Sequence, residues 1–217
     1  MKWDAFIYFS ILAFIPNYFY KGRTFEKTSW MHTLGLSSLF LLSIILLWTA
    51  FQSFTLVVSQ VTISLFALST LAWFLWPIII RHIGRYPGKY IAHEPMRFLA
   101  RFDPKITVFK YLEVILQQVG MAYLLFVVLS NFMYPIIIVY FTLIITLLHA
   151  ANFFVMPPKW ALFYLLLSIP MALIFLFVIR NGYLFITISL HLWFYVIHNS
   201  YYWLKESRHP RLDRGSK

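Results

Sequence analysis

The sequence predicts an all-α integral membrane bundle of about seven transmembrane helices. Apolar residues make up 61% of the 217-residue chain and charged residues only 12%. Its mean hydropathy is +0.76. A soluble domain of this size has no interior large enough to hide that much apolar surface, so a bilayer is the expected solvent. Aromatic residues reach 21%, and Trp and Tyr recur near segment ends, where amphipathic rings favour the headgroup region. The apolar residues also fall into runs of about 17–25, the length of chain that crosses a hydrocarbon core as a helix.

Taken in order, the expected spans are 3–20, 33–52, 56–80, 106–129, 133–156, 160–179 and 183–204. Only a weak polar break around Gln52-Ser53 divides the second from the third. Pro16, Pro77, Pro135 and Pro170 lie within or near the ends of spans, which membrane helices tolerate when neighbours satisfy the freed carbonyls. No small-residue cleavage site follows the first run, so the first span is expected to stay. The chain reads as one polytopic domain: three spans over 1–80, a basic loop at 81–105, a four-span core at 106–204 and a basic tail at 205–217. Within the loop, IAHEPMRFLARF has the pattern of a short amphipathic helix lying on the membrane surface, and His93-Glu94 reads as a solvated pair.

Charge sets the orientation. Lys21, Arg23 and Lys27, the six basic residues from Arg81 to Lys105, then Lys159 and the five in the tail share one side of a seven-span arrangement. Lys2 and Arg180 fall on the other, with Lys110 left uncounted in the first turn of the fourth span. The rich side is expected to be cytoplasmic, the N-terminus outside and the C-terminus inside. The net charge of +11 therefore reads as topology and contact with anionic lipid, not as a nucleic-acid surface. Cysteine is absent, which excludes disulfides, thiolate catalysis and Cys-ligated metal.

Ionisable groups inside spans are expensive and so mark candidate sites. Of the seven acids only Glu113 lies inside a span; of the seven histidines, His149, His191 and His198 do. Gln117, Gln118, Asn152 and Asn199 lie beside them. At about 1.5 Å per residue, Glu113, His149 and His198 sit roughly 9–11 Å from the cytoplasmic boundary, with Gln117 and His191 deeper. Spacing adds to this. Glu113 and Gln117 are i, i+4; His149 and Asn152 are i, i+3; His191, Tyr195 and His198 are i, i+4, i+7. Three helices thus each carry a polar stripe, as a shared cleft requires. Each stripe alone has a plainer reading, because polar side chains also join membrane helices by hydrogen bonds.

Residues of about 105–204 resemble the CAAX prenyl endopeptidase and bacteriocin-processing membrane proteases, the CPBP family. The likeness is carried by FTLIITLLHAAN, an apolar stretch ending in His149 with Asn152 three residues on, and by RNGYLFITISLH, which places Gly182 nine residues before His191. The resemblance implies a glutamic endopeptidase of the membrane interior. In it, Glu113 and His149 would activate water against a peptide carbonyl, and His191 would stabilise the oxyanion. Two departures stand out. The family's Glu-Glu pair followed by three residues and Arg is here YLEVILQQVG, so that either Glu113 takes a glutamate's place or Gln117-Gln118 does. Tyr195 stands where an Asn is expected, and a phenol is also a competent donor. His198 is a candidate for supplying a further donor or holding Glu113. The implied substrate is a peptide or lipidated protein in the membrane, and no cofactor is required.

Other classes make different demands. A non-cutting relative would bind a membrane segment or lipidated partner. Zinc could use Glu113, His149 and His191 or His198, though no HExxH motif is present. A proton-coupled transporter would use the same Glu and His as a relay but is expected to carry an inverted repeat, and none is visible. Bis-histidine haem ligation finds no repeated pair of His-bearing helices.

Overall fold

The computed structural model describes residues 2–19, 29–49, short helical pieces between 63 and 75, 104–154 and 158–208. Side chains are described for these except at 14–19, 104–107, 160 and 198–208. Among the described residues the chain is helical and contains no strand. The helices are α1 (Lys2–Phe19), α2 (Trp30–Thr49), α3 (Pro104–Tyr123), α4 (Tyr134–Ala150), α5 (Pro158–Arg180) and α6 (Leu184–Arg208). A π turn, Leu124–Val128, prolongs α3, and a 3-10 turn, Ala151–Phe154, prolongs α4.

Four stretches are long and apolar enough to cross a membrane: Trp30–Thr49, Val108–Val128, Tyr134–Phe154 and Ala161–Arg180. Leu184–Ile197 is a shorter apolar stretch at the start of α6. The chain thus has the character of a membrane protein. Much of the expected third span, the 81–105 loop with its surface helix, and the end of the tail lie outside the described residues.

Helix α3 is the centre of the packing. It carries α1, α2 and α6 on its sides, while α4 packs chiefly on α5 and touches the π turn above α3. Its span is the most buried of the four. The apolar residues Phe6, Phe9, Leu12 and Ala13 of α1 join Phe40 and Leu47 of α2 and Leu116, Val119 and Leu124 along α3 in one core. Phe40 and Phe109 meet with centroids 5.3 Å apart. A helix enclosed on several sides can hold polar groups away from lipid, which explains how α3 tolerates them. In contrast, Val139, Tyr140, Leu143 and Leu147 of α4 stand exposed, as a lipid-facing helix side should.

Local signals set the ends. Pro104, Pro135 and Pro158 stand in the first turns of α3, α4 and α5, where the missing N–H costs nothing. Gly182 closes α5 with φ +86°. The Tyr183 N–H reaches the Val178 carbonyl at 3.1 Å and the Gly182 N–H that of Ile179 at 3.0 Å. That pair of bonds is a Schellman cap, and its left-handed residue favours glycine. The tight turn sends α6 straight back along α5, so the Gly182 of the sequence motif sets where His191 lies along the bundle. At the same end, the Arg180 guanidinium lies 3.6 Å from the centroid of the Tyr134 ring, clamping α5 to α4.

Candidate functional site

Helix α3 supplies one side of the site. Lys110, Glu113 and Gln117 follow i, i+3, i+7 and so share a face. Glu113 is completely buried. Its Oε1 accepts from Lys110 Nζ at 2.8 Å and from Gln117 Nε2 at 2.9 Å, while its Oε2 has no hydrogen-bond partner among the described residues. The carboxylate therefore faces protein and not acyl chains. It is one half of an ion pair, with two donors on one oxygen and unspent accepting capacity on the other. Gln118, one residue on and also fully enclosed, turns to the neighbouring helix.

Helix α6 supplies the other side. Gln118 Nε2 lies 2.9 Å from His191 Nδ1. His191 and Tyr195, one turn apart, stack with centroids 5.7 Å apart and planes at 16°, and Phe175 of α5 backs the imidazole at 6.3 Å. The Tyr195 phenol faces Lys110, whose Nζ is 5.6 Å from that ring's centroid, close enough for the two groups to interact electrostatically. A continuous polar string results: Gln117, Glu113, Lys110, Tyr195, His191, Gln118. It starts and ends on α3 and passes through α6.

His149 reaches the group from α4. It lies close enough to His191 for the two imidazoles to interact electrostatically. It is not hydrogen-bonded to Glu113; instead His149 Nδ1 is 2.8 Å from the Ile145 carbonyl. Asn152 sits half-buried in the following 3-10 turn. His198 and Asn199 belong to α6, and their side chains lie outside the described residues.

With the Gln118 nitrogen turned toward His191, the hydrogen bonds select one tautomer for each ring. A carbonyl only accepts, so His149 carries its proton on Nδ1 and presents Nε2 as a lone pair. An amide N–H only donates, so His191 accepts at Nδ1 and carries its proton on Nε2. One imidazole thus offers an acceptor and the other a donor. Where an acid–base pair must take a proton from one atom and give a hydrogen bond to another, that asymmetry is the useful one.

Sequence reading missed Lys110. By sequence it is a first-turn residue outside the charge count, yet its side chain is only 11% exposed and bound to Glu113. The i, i+3 spacing of a Lys and a Glu inside an apolar span was the available signal. Among the described residues no group of three or more His, Asp or Glu is arranged to hold a metal ion. No family model, curated protein or solved structure matches this chain.

Proposed function

We propose that this protein is a membrane-embedded hydrolase that cleaves a peptide bond with a Glu-activated water, in the manner of the CPBP family that its second half resembles. The observation that carries the reading is the completely buried Glu113, held at Oε1 by Lys110 and Gln117 with Oε2 unpartnered among the described residues. A carboxylate oxygen enclosed without a donor is costly, and a water or substrate N–H bound there removes the cost. In the proposed reaction Glu113 takes a proton from that water as its oxygen attacks the scissile carbonyl. His149 Nε2 accepts from the same water and orients it. The oxyanion forms against His191 Nε2–H and the Tyr195 hydroxyl, and the proton passes to the departing amine as the C–N bond breaks. Zinc is not needed in this scheme.

The arrangement in the bilayer belongs to the same proposal: seven spans, N-terminus outside, C-terminus cytoplasmic, basic loops against anionic lipid, and a peptide or lipidated protein as substrate. A second reading is favoured by the same ion pair. Because Lys110 and Gln117 already satisfy Oε1 of Glu113 and His149 bonds its own helix, the site also suits a relative that binds a membrane segment without cutting it. Purified protein in detergent micelles, given a quenched fluorescent peptide carrying one transmembrane segment, separates the two. The hydrolase reading expects cleavage that is abolished by Glu113→Gln and by His149→Ala. Binding of the peptide without cleavage supports the second reading, and cleavage that survives both substitutions defeats the assignment.

A further inference from the structure

The geometry points to Lys110 as a positioning residue of this site, one that holds the base and the oxyanion donor at once; the inference rests on the hydrolase reading. Three observations converge on it. Lys110 is 9% exposed in an apolar span, where a cation with no task is strongly disfavoured. Its ammonium is 2.8 Å from Glu113 Oε1, the oxygen that Gln117 also donates to. On its other side it faces Tyr195 of α6, 5.6 Å from the ring centroid and close enough to interact electrostatically, the residue that stands where the resembled family places an Asn.

An ammonium has three donors and no acceptor, so at Glu113 the carboxylate oxygen accepts, while Tyr195 lies within the field of the same cation. At Glu113 this neutralises one oxygen and fixes the plane of the carboxylate, so that Oε2 points along one direction. At Tyr195 the phenol oxygen is polarised by a cation, which makes its O–H a stronger donor toward developing negative charge. One cation thereby couples the base on α3 to the electrophilic side on α6. An uncharged side chain of the same length fills the volume and does neither.

The test uses full-length protein in detergent micelles, the quenched fluorescent transmembrane peptide as substrate, and Lys110→Met, Lys110→Arg and Tyr195→Phe beside wild type. Lys110→Met should lower kcat about 100-fold, the scale of losing one aligned oxyanion donor, with KM little changed. Lys110→Arg should recover much of that loss, and Tyr195→Phe should lower kcat without raising KM. A second readout needs no turnover: dicyclohexylcarbodiimide, an apolar reagent that modifies protonated carboxyl groups, followed by mass spectrometry of the fragment carrying Glu113. Wild type and Lys110→Arg should be protected, because the ion pair holds the carboxylate. Lys110→Met should be labelled, because a buried carboxylate stripped of its cation is held neutral. Equal labelling of wild type and Lys110→Met, or wild-type kcat in Lys110→Met, overturns the inference. If wild type cleaves nothing, the hydrolase reading falls and the positioning role falls with it, while the labelling arm still shows whether Lys110 holds Glu113. If Lys110→Met does not fold, an unchanged kcat in Tyr195→Phe overturns the inference and a selective loss of kcat sustains it.

Discussion

Breaking the Lys110–Glu113 pair from either side should cost far more than removing it whole. The two groups are 2.8 Å apart, with side chains 11% and 0% exposed. At an effective dielectric of about 20, unit charges at that distance attract by about 6 kcal/mol. Desolvation of both ions offsets much of this, and removing one partner of a buried pair costs about 3–5 kcal/mol because the other is stranded. Glu113→Leu leaves Lys110 with the Tyr195 hydroxyl; Lys110→Met leaves Glu113 with the Gln117 amide. Each single variant should therefore lose about 3–5 kcal/mol, and the double variant should lose about 1 kcal/mol or less. The assay is a double-mutant cycle on unfolding in detergent micelles, followed by circular dichroism across a denaturant titration. Additive losses refute the reasoning, as do single variants as stable as wild type. Either result would mean the two charges are hydrated and do not depend on each other.

Nitrogen-15 NMR of selectively labelled histidine should report Nδ1-protonated His149 and Nε2-protonated His191; the same tautomer at both would contradict the hydrogen bonds to the Ile145 carbonyl and the Gln118 amide. Gly182→Ala should destabilise the protein by about 1–2 kcal/mol through its φ of +86°, and Gly182→Asn by less. Nothing lies within 4 Å of an added Cβ there, so a steric clash does not account for the loss, which thermal unfolding in micelles measures. Arg180→Ala should cost only about 0.5–1 kcal/mol, the scale of an exposed cation–π contact over Tyr134. Because the chain has no cysteine, single variants Asn131→Cys and Asn181→Cys can be labelled with an impermeant maleimide. Both should react from one face of the membrane and Lys159→Cys from the other.

The helical fold was legible because composition and run length act on every residue of a span. The apolar runs at 106–129 and 160–179 match α3 with its π turn and α5 to within about two residues. The π turn at Leu124–Val128 was not visible, since a one-residue widening of a helix leaves the hydropathy pattern intact. At the site, Glu113 and Gln117 do share a face, and His191 and Tyr195 do stack along α6. What spacing could not supply was pairing between helices. Gln118 finds His191 and Lys110 finds Tyr195 only because α3 and α6 are neighbours, and periodicity within one helix says nothing about which helix lies beside it. Lys110 was overlooked for a related reason. In the first turn of an apolar run it is left out of the charge count, but its flexible stem carries the ammonium inward to Glu113.

The central claim is that α3 and α6 turn their polar faces toward each other, and cross-linking in native membranes tests it most directly. In the cysteine-free chain, Gln118→Cys with His191→Cys should be bridged rapidly by a short bis-methanethiosulfonate, with the linked peptides identified by mass spectrometry. Gln118→Cys paired with Phe185→Cys, whose α6 position is exposed, should react slowly. Equal rates for the two pairs, or faster bridging of the second, would contradict the account.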